Sequence, residues 1–515
     1  MKRLLIIALI FISCMNTQAQ LAPASIDSLV NATLATFDVP GIAVGIIKDG
    51  KLVFAKGYGV RSLESKLPVD ENTLFGIASN SKAFTSAALA MLEDEGKLKW
   101  DDKVTEYIPG FMMYDPWVTR EFTIRDLLTH RSGLGLGAGD LMFWPEGGNM
   151  TREEMIYNIR YLKPVSSFRS KYDYDNNMYM VAGQVIEKVS GMPWEEFIEQ
   201  RIMKPLGFTS SKASYNRVPA GANMIAPHAP ADGKVIQIPH DWNPTVNAAG
   251  GIMSNITDLS KWLIMQMNDG EYGDGKKLFS KKNHDEMWQM QTIIPVRAPG
   301  LYNTHFAGYG LGWFLSDVKG YKQVTHTGGL AGTVTQITLL PELKLGIIVL
   351  TNQQQGAAFS TITNTIKDSY LGYPNRNWLT TFRTRYIAAN KEADSIKRAV
   401  DADVAEQLKN NKTRLPDSLF TGTYQDQWFG NVDISVKNNG LWFAAVRSPK
   451  LTGKMLPYKA STFILKFTDR SLDADAYVTF ALDKNGKASG FKIEAISPLT
   501  DFSFDFQDLD LKRIK

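Results

Sequence analysis

Strand-like segments lie at both ends of the first two thirds of the chain, and helix-like segments lie between them. Residues 42–47 and 52–56 flank Asp49-Gly50, a dipeptide that is typical of a tight hairpin turn. Further segments rich in β-branched, aromatic and aliphatic residues return much later, at 309–315, 323–326, 334–340 and 345–351. Segments so far apart in sequence can share one sheet only if the intervening chain packs around it. This order therefore predicts an α+β fold in which a single sheet is assembled from both ends.

Helical periodicity marks the middle of this region. Apolar residues recur at helical spacing over 81–95, and Gly96 stands where a helix should stop. A second helix is predicted from Asn177 to Ser190, and a third amphipathic stretch covers 258–267. These helices predict one layer against the sheet and a mainly helical insertion.

The composition changes near residue 380. Residues 380–412 are charged and helix-prone, which predicts a connector. From Phe420 onward, short alternating strands are separated by turns such as Lys484-Asn485-Gly486, a pattern typical of a small β-barrel or sandwich. We therefore divide the chain into an N-terminal signal segment (1–20), an α+β domain (21–378), a helical linker (379–415) and a β-barrel domain (416–515).

The N-terminus has the form of an export signal. Lys2 and Arg3 precede the apolar run 4–13, and Thr17-Gln18-Ala19 resembles a cleavage site. This predicts a periplasmic or secreted protein. The alternative is a lipid anchor on Cys14, the only cysteine of the chain. No other segment is long and apolar enough to cross a membrane.

Composition excludes several classes of function. The 515 residues are 44% hydrophobic and 21% charged, with a formal net charge of +4, which is typical of a globular protein and not of a nucleic-acid binder. The six histidines show no metal-ligand spacing, so we predict no metal. The glycine-rich stretch 133–139 lacks the order of a phosphate-binding loop, and we predict no cofactor. The sequence leaves the oligomeric state open.

The motif Ser79-Asn80-Ser81-Lys82 begins the first predicted helix. A serine hydroxyl is a weak nucleophile until a base removes its proton, and a lysine three residues later faces the same side of a helix. Burial lowers the pKa of a lysine, which lets it act as that base. Ser-x-x-Lys also occurs at Ser316 and Ser489, but neither opens an apolar helix. The alternative is that Ser79 caps a helix and that Lys82 is solvated.

Tyr174-Asp175-Asn176 precedes the second predicted helix. A phenol near a lysine ammonium should ionise more easily and could share proton transfer, while an asparagine amide can bind a substrate amide. The alternative is a packing tyrosine beside a helix-capping asparagine.

His326-Thr327-Gly328-Gly329 ends a predicted strand. Glycines there let a substrate backbone approach closely, Thr327 can bind a carboxylate or amide, and the Gly329 N–H can complete an oxyanion hole. The alternative is an ordinary β-turn with a solvent-facing histidine.

Taken together and in this order, the three motifs resemble the serine β-lactamase and penicillin-binding-protein family, whose Ser-x-x-Lys and Lys-Thr-Gly elements carry a known mechanism. Tyr174 and Asn176 match the Tyr-x-Asn of its class C-like branch, which includes D-Ala-D-Ala carboxypeptidases, D-aminopeptidases and esterases. The resemblance covers roughly residues 25–370 and includes the stretches 75–78, 127–134, 249–251 and 309–313. The tail from Phe420 resembles the lipocalin-like domain of some members.

The resemblance implies an antiparallel sheet flanked by helices in an α/β/α arrangement and a covalent intermediate on Ser79. It implies that Lys82 and Tyr174 exchange the proton, that Asn176 orients the substrate, and that the Ser79 and Gly329 N–H groups bind the oxyanion. His326 departs from the family, which carries lysine there, and a neutral imidazole binds a carboxylate less well than an ammonium. We therefore expect a serine hydrolase acting on small peptide, amide, ester or β-lactam-like substrates, D-amino-acid peptides among them. The alternative is a non-catalytic or slowly acylating relative that senses cell-wall peptides.

Overall fold

The computed structural model describes residues 20–240, 242–374, 376–409 and 415–515. The predicted export signal and Cys14 lie outside these ranges. We number the longer helices, of twelve or more residues, and the strands of the two large sheets along the chain. The longer helices are α1 (Pro23–Phe37), α2 (Ser81–Asp94), α3 (Asn176–Ser190), α4 (Ile256–Met267), α5 (Gly356–Leu371) and α6 (Trp378–Lys409). The shorter helices are Val104–Tyr107, Pro116–Glu121, Ile124–Leu127, Arg152–Asn158, Trp194–Phe197, Asn247–Gly250 and Lys281–Met287.

Within the described residues, one eight-stranded antiparallel sheet joins the two ends of the first region. Its strands are β1 (Gly41–Lys48), β2 (Lys51–Gly59), β3 (Thr292–Ile293), β4 (Ala307–Tyr309), β5 (Phe314–Val318), β6 (Tyr321–Leu330), β7 (Thr333–Leu340) and β8 (Leu345–Thr351). The spatial order is β2-β1-β8-β7-β6-β5-β4-β3, so the first hairpin pairs directly with the last strand. Outside this sheet, short antiparallel strand pairs form between Phe75–Gly76 and Met253–Ser254, between His228–Ala231 and Lys234–Gln237, and between Glu271–Tyr272 and Lys276–Lys277.

Apolar layers cover both faces of this sheet. One buried cluster joins α1 and α5 to one face, and its members include Val30, Val44 and Ile362. On the other face, α2 and α4 pack through Phe84 and Trp262, whose rings stack at 3.9 Å between centroids. Burial of this apolar surface from two sides is what holds the helices to the sheet.

The C-terminal strands close into an antiparallel barrel. They are β9 (Gly422–Asp426), β10 (Gly430–Lys437), β11 (Gly440–Ala445), β12 (Thr452–Lys459), β13 (Thr462–Phe467), β14 (Ala476–Leu482), β15 (Ala488–Ala495) and β16 (Leu511–Arg513). Each strand pairs with the next, and β9 pairs with β16, which closes the barrel. Inward-facing aromatic side chains, such as Tyr424 and Phe480, fill its interior.

The fold confirms the predicted α+β class, the antiparallel sheet with helical layers, and the barrel. The predicted helix at 81–95 is α2, and the charged segment near residue 380 forms α6, which contacts β12. No helix in the described ranges has the length and apolarity that a membrane span requires.

Candidate active site

The chain turns sharply just before Ser79. Ala78 is buried and adopts a left-handed conformation with φ of 51°, and Ala78–Asn80 forms a 3-10 turn that leads into α2. Left-handed backbone is costly for a residue with a side chain and is often found at functional sites. The turn leaves the Ser79 side chain partly exposed, at a cavity.

Residues of strands β6 and β7 contact this turn directly. The Thr335 hydroxyl donates to the Ile77 carbonyl at 3.0 Å and accepts from Asn80 Nδ2 at 2.9 Å. Gly328 packs against the same turn so closely that a Cβ there would lie 2.2 Å from the Ile77 oxygen. The need for glycine at this position is therefore a close backbone approach.

Lys82 lies one helical turn beyond Ser79 and is completely buried. Its Nζ lies 3.1 Å from Ser79 Oγ, 2.7 Å from Asn176 Oδ1 and 2.9 Å from the Ala249 carbonyl oxygen. Burial lowers the pKa of Lys82 to about 7, although the nearby Asp140 and Asp175 carboxyls oppose this decrease.

These three contacts fit the amine in either charge state, because an ammonium group can donate to all three oxygens. A neutral Lys82 has two hydrogens and one lone pair, and the Asn176 and Ala249 oxygens can each accept one hydrogen. The lone pair then faces Ser79 Oγ. The arrangement therefore lets Lys82 receive the serine proton.

Tyr174 lies on the other side of the same amine. Lys82 Nζ is 4.7 Å from the Tyr174 ring centroid, and the buried Tyr174 hydroxyl is close enough to Ser79 to affect its own pKa, although no hydrogen bond of good geometry joins them. Burial raises the pKa of Tyr174 well above its usual value. This differs from the expected easier ionisation, because desolvation of the phenolate outweighs any help from a lysine that is itself largely uncharged.

Asn176 begins α3 and connects the amine to a buried carboxyl group. Its Oδ1 faces Lys82, and its Nδ2 donates to Asp140 Oδ2 at 2.8 Å. Because the carboxyl oxygen accepts, Asp140 fixes which end of the amide faces the lysine. Burial raises the pKa of Asp140 well above its usual value.

His326 is buried in β6, and both of its ring nitrogens have partners. Nδ1 lies 2.6 Å from the Thr327 carbonyl oxygen, and Nε2 lies 2.9 Å from the Tyr309 hydroxyl. The carbonyl can only accept, so Nδ1 carries the proton and Nε2 accepts from Tyr309. Burial lowers the pKa of His326 to about 3, which keeps the ring neutral and argues against direct carboxylate binding by this side chain.

Thr327 and Gly329 are exposed on β6 and line the same cavity of about 300 Å³ as Ser79, Tyr174 and Asn176. A Cβ placed on Gly329 would meet nothing within 4 Å, so this part of the strand is open to a ligand. The structure thus brings the predicted residues together around one cleft, and their individual roles stay predictions. Aromatic and apolar side chains form the walls: Leu136, Phe143, Trp144, Tyr172, Trp242, Phe314 and Leu330.

A loop of the barrel forms one wall of this cleft. Asp501, Phe502 and Ser503 line the cavity, and the Phe502 ring lies 5.9 Å from that of Tyr174. Sequence reasoning missed these residues and Asp140. The stretch 502–506 lies in the predicted barrel domain, and no local signal connects it to a serine more than four hundred positions earlier.

One group of potential metal ligands occurs among the described residues, far from these motifs in sequence. Oxygen and nitrogen atoms of Asp269, His284 and Asp285 lie within 4.8 Å of one another. Lys281 Nζ lies 2.8 Å from Asp285 and 3.4 Å from Asp269, so an ammonium group already neutralises these carboxylates. This arrangement is explained by ion pairing.

An antiparallel sheet covered by helices, with a Ser-x-x-Lys turn at the start of a buried helix, defines the fold class of serine β-lactamases and penicillin-binding proteins. Residues 26–370 match the family model described as Beta-lactamase, and residues 407–513 match one described as Domain of unknown function (DUF3471). The chain therefore belongs to the Beta-lactamase family.

Similar proteins include hydrolases of this family. The chain is 26% identical over 436 residues to Unguisins hydrolase ungD of Aspergillus violaceofuscus, which covers 79% of this chain and 75% of that protein. It is 28% identical over 331 residues to Protein flp of Staphylococcus aureus, which covers 64% of this chain and 62% of that protein.

Two solved structures share the fold. The octameric penicillin-binding protein homologue from Pyrococcus abyssi has a TM-score of 0.62 and 24% identity, and the match covers 95% of this chain and all of that one. The class C β-lactamase from Rhodobacter sphaeroides has a TM-score of 0.54 and 18% identity, and the match covers 67% of this chain and 98% of that one. The fold of the first of these therefore extends across the barrel as well.

Proposed function

We propose that this protein is a serine hydrolase that forms a covalent acyl intermediate on Ser79 and acts on small peptide, amide or ester substrates. The observation that carries the proposal is the contact between Ser79 Oγ and the buried Lys82 amine, whose two hydrogens have other acceptors. In its neutral form this amine presents its lone pair to an accessible hydroxyl, and burial lowers its pKa to about 7, which a purely structural lysine would not require.

In the acylation step, Ser79 Oγ attacks the substrate carbonyl carbon and passes its proton to Lys82 Nζ. The carbonyl oxygen becomes an oxyanion, which the N–H groups of Ser79 and Gly329 stabilise. When the intermediate collapses, the bond to the leaving group breaks and the neutral Tyr174 phenol protonates that group. Lys82 then returns its proton to Tyr174. Water repeats the sequence on the acyl-enzyme, which releases the acid and restores Ser79.

The lining of the cleft supports substrates that need no carboxylate anchor. None of the described lining residues is lysine or arginine, and His326 is neutral with both nitrogens occupied. The aromatic walls and the volume of about 300 Å³ favour an apolar group of modest size. We include D-amino-acid peptides in this class, and we expect β-lactams that carry a carboxylate to react slowly.

The relatives and the N-terminus support two further parts of the proposal. The name Unguisins hydrolase describes a relative that matches 79% of this chain as a hydrolase, which favours turnover over binding alone. The charged start, apolar run and Thr17-Gln18-Ala19 of the sequence favour export to the periplasm or the medium, with anchoring through Cys14 as the alternative.

A fluorophosphonate probe followed by a substrate panel tests this proposal. Wild-type protein and Ser489→Ala should be labelled, whereas Ser79→Ala should not; Ser489 begins another Ser-x-x-Lys sequence, on the barrel surface. The panel compares p-nitrophenyl esters, D-amino-acid peptides and nitrocefin. Labelling without turnover of any of them would favour the slowly acylating relative, and equal labelling of Ser79→Ala would reject Ser79 as the nucleophile.

A further inference from the structure

The barrel loop 501–505 is anchored inside the α+β domain by hydrogen bonds. The Asp505 carboxyl group is fully buried and accepts from the Gly139 N–H at 2.6 Å and from the Leu141 N–H at 3.0 Å. Both donors flank Asp140. These two hydrogen bonds therefore hold the barrel loop against the segment 139–141, which contains Asp140.

A continuous chain of hydrogen bonds runs from this loop to the nucleophile. The Ser503 hydroxyl donates to Asp140 Oδ2 at 2.7 Å, and the same oxygen accepts from Asn176 Nδ2 at 2.8 Å. Asn176 Oδ1 then accepts from Lys82 Nζ at 2.7 Å, and Lys82 Nζ lies 3.1 Å from Ser79 Oγ. Ser503 is only 6% exposed, and Asp140 is completely buried.

The direction of these bonds has a consequence for the base. The lone pair of Lys82 faces Ser79 only while Asn176 presents its oxygen, and not its NH₂ group, to the amine. Asp140 enforces this orientation because its oxygen accepts from Nδ2. Ser503 in turn holds Asp140 Oδ2 in place from the opposite side. A change at Ser503 would therefore reach Ser79 through three intermediate side chains, those of Asp140, Asn176 and Lys82.

We propose that Ser503, supplied by the barrel domain, is a positioning residue for the Ser79–Lys82 pair, and that the barrel loop is an integral part of the active site. This inference rests on the proposed function and extends that function by giving the C-terminal domain a part in catalysis. A residue that only forms a wall of the cleft affects substrate binding. The hydrogen-bond chain would instead affect proton transfer from Ser79 to Lys82, whichever substrate is bound.

Steady-state kinetics of Ser503→Ala with p-nitrophenyl acetate separate these roles. This ester is too small to depend on the wall, so we expect kcat to fall about tenfold or more and KM to change less than about twofold. Asp140→Ala, which removes the shared acceptor, should lower kcat by a similar factor. The double variant should be little worse than either single one, because residues of one hydrogen-bond network act together. Ser489→Ala, an exposed serine of the same barrel, is the matched control.

The outcomes distinguish the two proposals. If wild type turns over and Ser503→Ala matches Ser489→Ala in kcat, the positioning role is wrong while the hydrolase stands. If wild type neither hydrolyses the panel nor reacts with fluorophosphonate, the hydrolase is wrong. In that case, exchange of the Asn176 side-chain amide hydrogens with water decides whether the hydrogen bonds from Ser503 through Asp140 to Asn176 exist. NMR should show slower exchange in wild type than in Ser503→Ala, and equal exchange would overturn the inference.

Discussion

At the scale of single residues, the charge of Lys82 should control the pH dependence of activity. Only the neutral amine can accept the Ser79 proton, and the pKa of Lys82 is lowered from 10.5 to about 7. We expect kcat/KM to rise about tenfold per pH unit below pH 7 and to level off above it. Burial also raises the pKa of Asp175 to about 7, so its ionisation should broaden this acid limb by favouring the charged amine. Burial holds the pKa of Asp140 well above its usual value, while His130 and His326 stay neutral and Tyr174 stays protonated through this range. A pH–rate profile with an ester substrate measures this.

The variant Lys82→Arg tests the same role of Lys82 as the base. A guanidinium stays protonated at every accessible pH, so Lys82→Arg should lose activity by a factor of about 100 or more at all pH values. Lys492 belongs to the Ser-x-x-Lys sequence that begins at Ser489 on the barrel, and Lys492→Arg should keep wild-type kinetics. Full activity of wild type at pH 5 would contradict the role of Lys82 as the base.

The same lowered pKa affects stability. The unfolded chain holds a proton on Lys82 up to pH 10.5, whereas the folded chain releases it near pH 7, so the unfolded state binds more protons between these values. Folding stability should therefore rise with pH in this window, and the two pKa values differ by the equivalent of about 5 kcal/mol. The raised pKa values of the buried Asp140, Asp175 and Asp505 have the opposite effect, so the contribution of Lys82 is measured as a difference between variants. Between pH 7 and pH 9.5, the free energy of unfolding in urea should increase by several kcal/mol more in wild type than in Lys82→Met. An equal change in both would show that the lysine is not neutralised on folding.

Among the secondary-structure elements, β6 and the Ser79 turn contact each other through Gly328. A methyl group there would lie 2.2 Å from the Ile77 oxygen and 2.7 Å from Thr335 Oγ1, so Gly328→Ala must displace the turn. We expect a loss of about 2 kcal/mol of stability and much slower fluorophosphonate labelling of Ser79. Gly329→Ala, one residue later, has open space and should unfold at the wild-type urea concentration. Equal stability of the two variants would contradict this packing.

Elements set by local pattern could be predicted, whereas contacts between distant loops could not. The helix α2 followed from its apolar spacing and Gly96, and the Ser79–Lys82 proximity followed from one helical turn. The single sheet assembled from both ends followed from the strand signals there, whereas the pairing of β1 with β8 is a finding of the structure. The Asp140–Ser503 bond joins residues 363 positions apart, and neither loop carries a pattern that names its partner. The effect of burial on the Tyr174 pKa also depends on packing that the sequence does not encode locally.

At the scale of the whole molecule, the barrel and the α+β domain share one buried core. Phe143 and Met142 of the first domain belong to the same apolar cluster as Trp428 and Phe504 of the second. The Asn158 side chain also donates to the Trp428 carbonyl at 2.9 Å. Two units that bury common apolar surface should unfold together, and calorimetry of the wild-type chain should give one cooperative transition.

Asp505 is the residue on which this coupling can be tested. Asp505→Ala removes the acceptor for two N–H groups in a fully buried place, those of Gly139 and Leu141, and each unsatisfied buried group costs on the order of 1–3 kcal/mol. We expect a lower melting temperature and two separate unfolding transitions, one for each domain, because the barrel loop loses its hydrogen bonds to the segment around Asp140. Glu494→Ala, an exposed acid on the outside of β15, should leave the melting curve unchanged. A single unshifted transition in Asp505→Ala would mean that the shared apolar cluster alone joins the domains, because removal of these bonds would then have no effect on the stability of the interface.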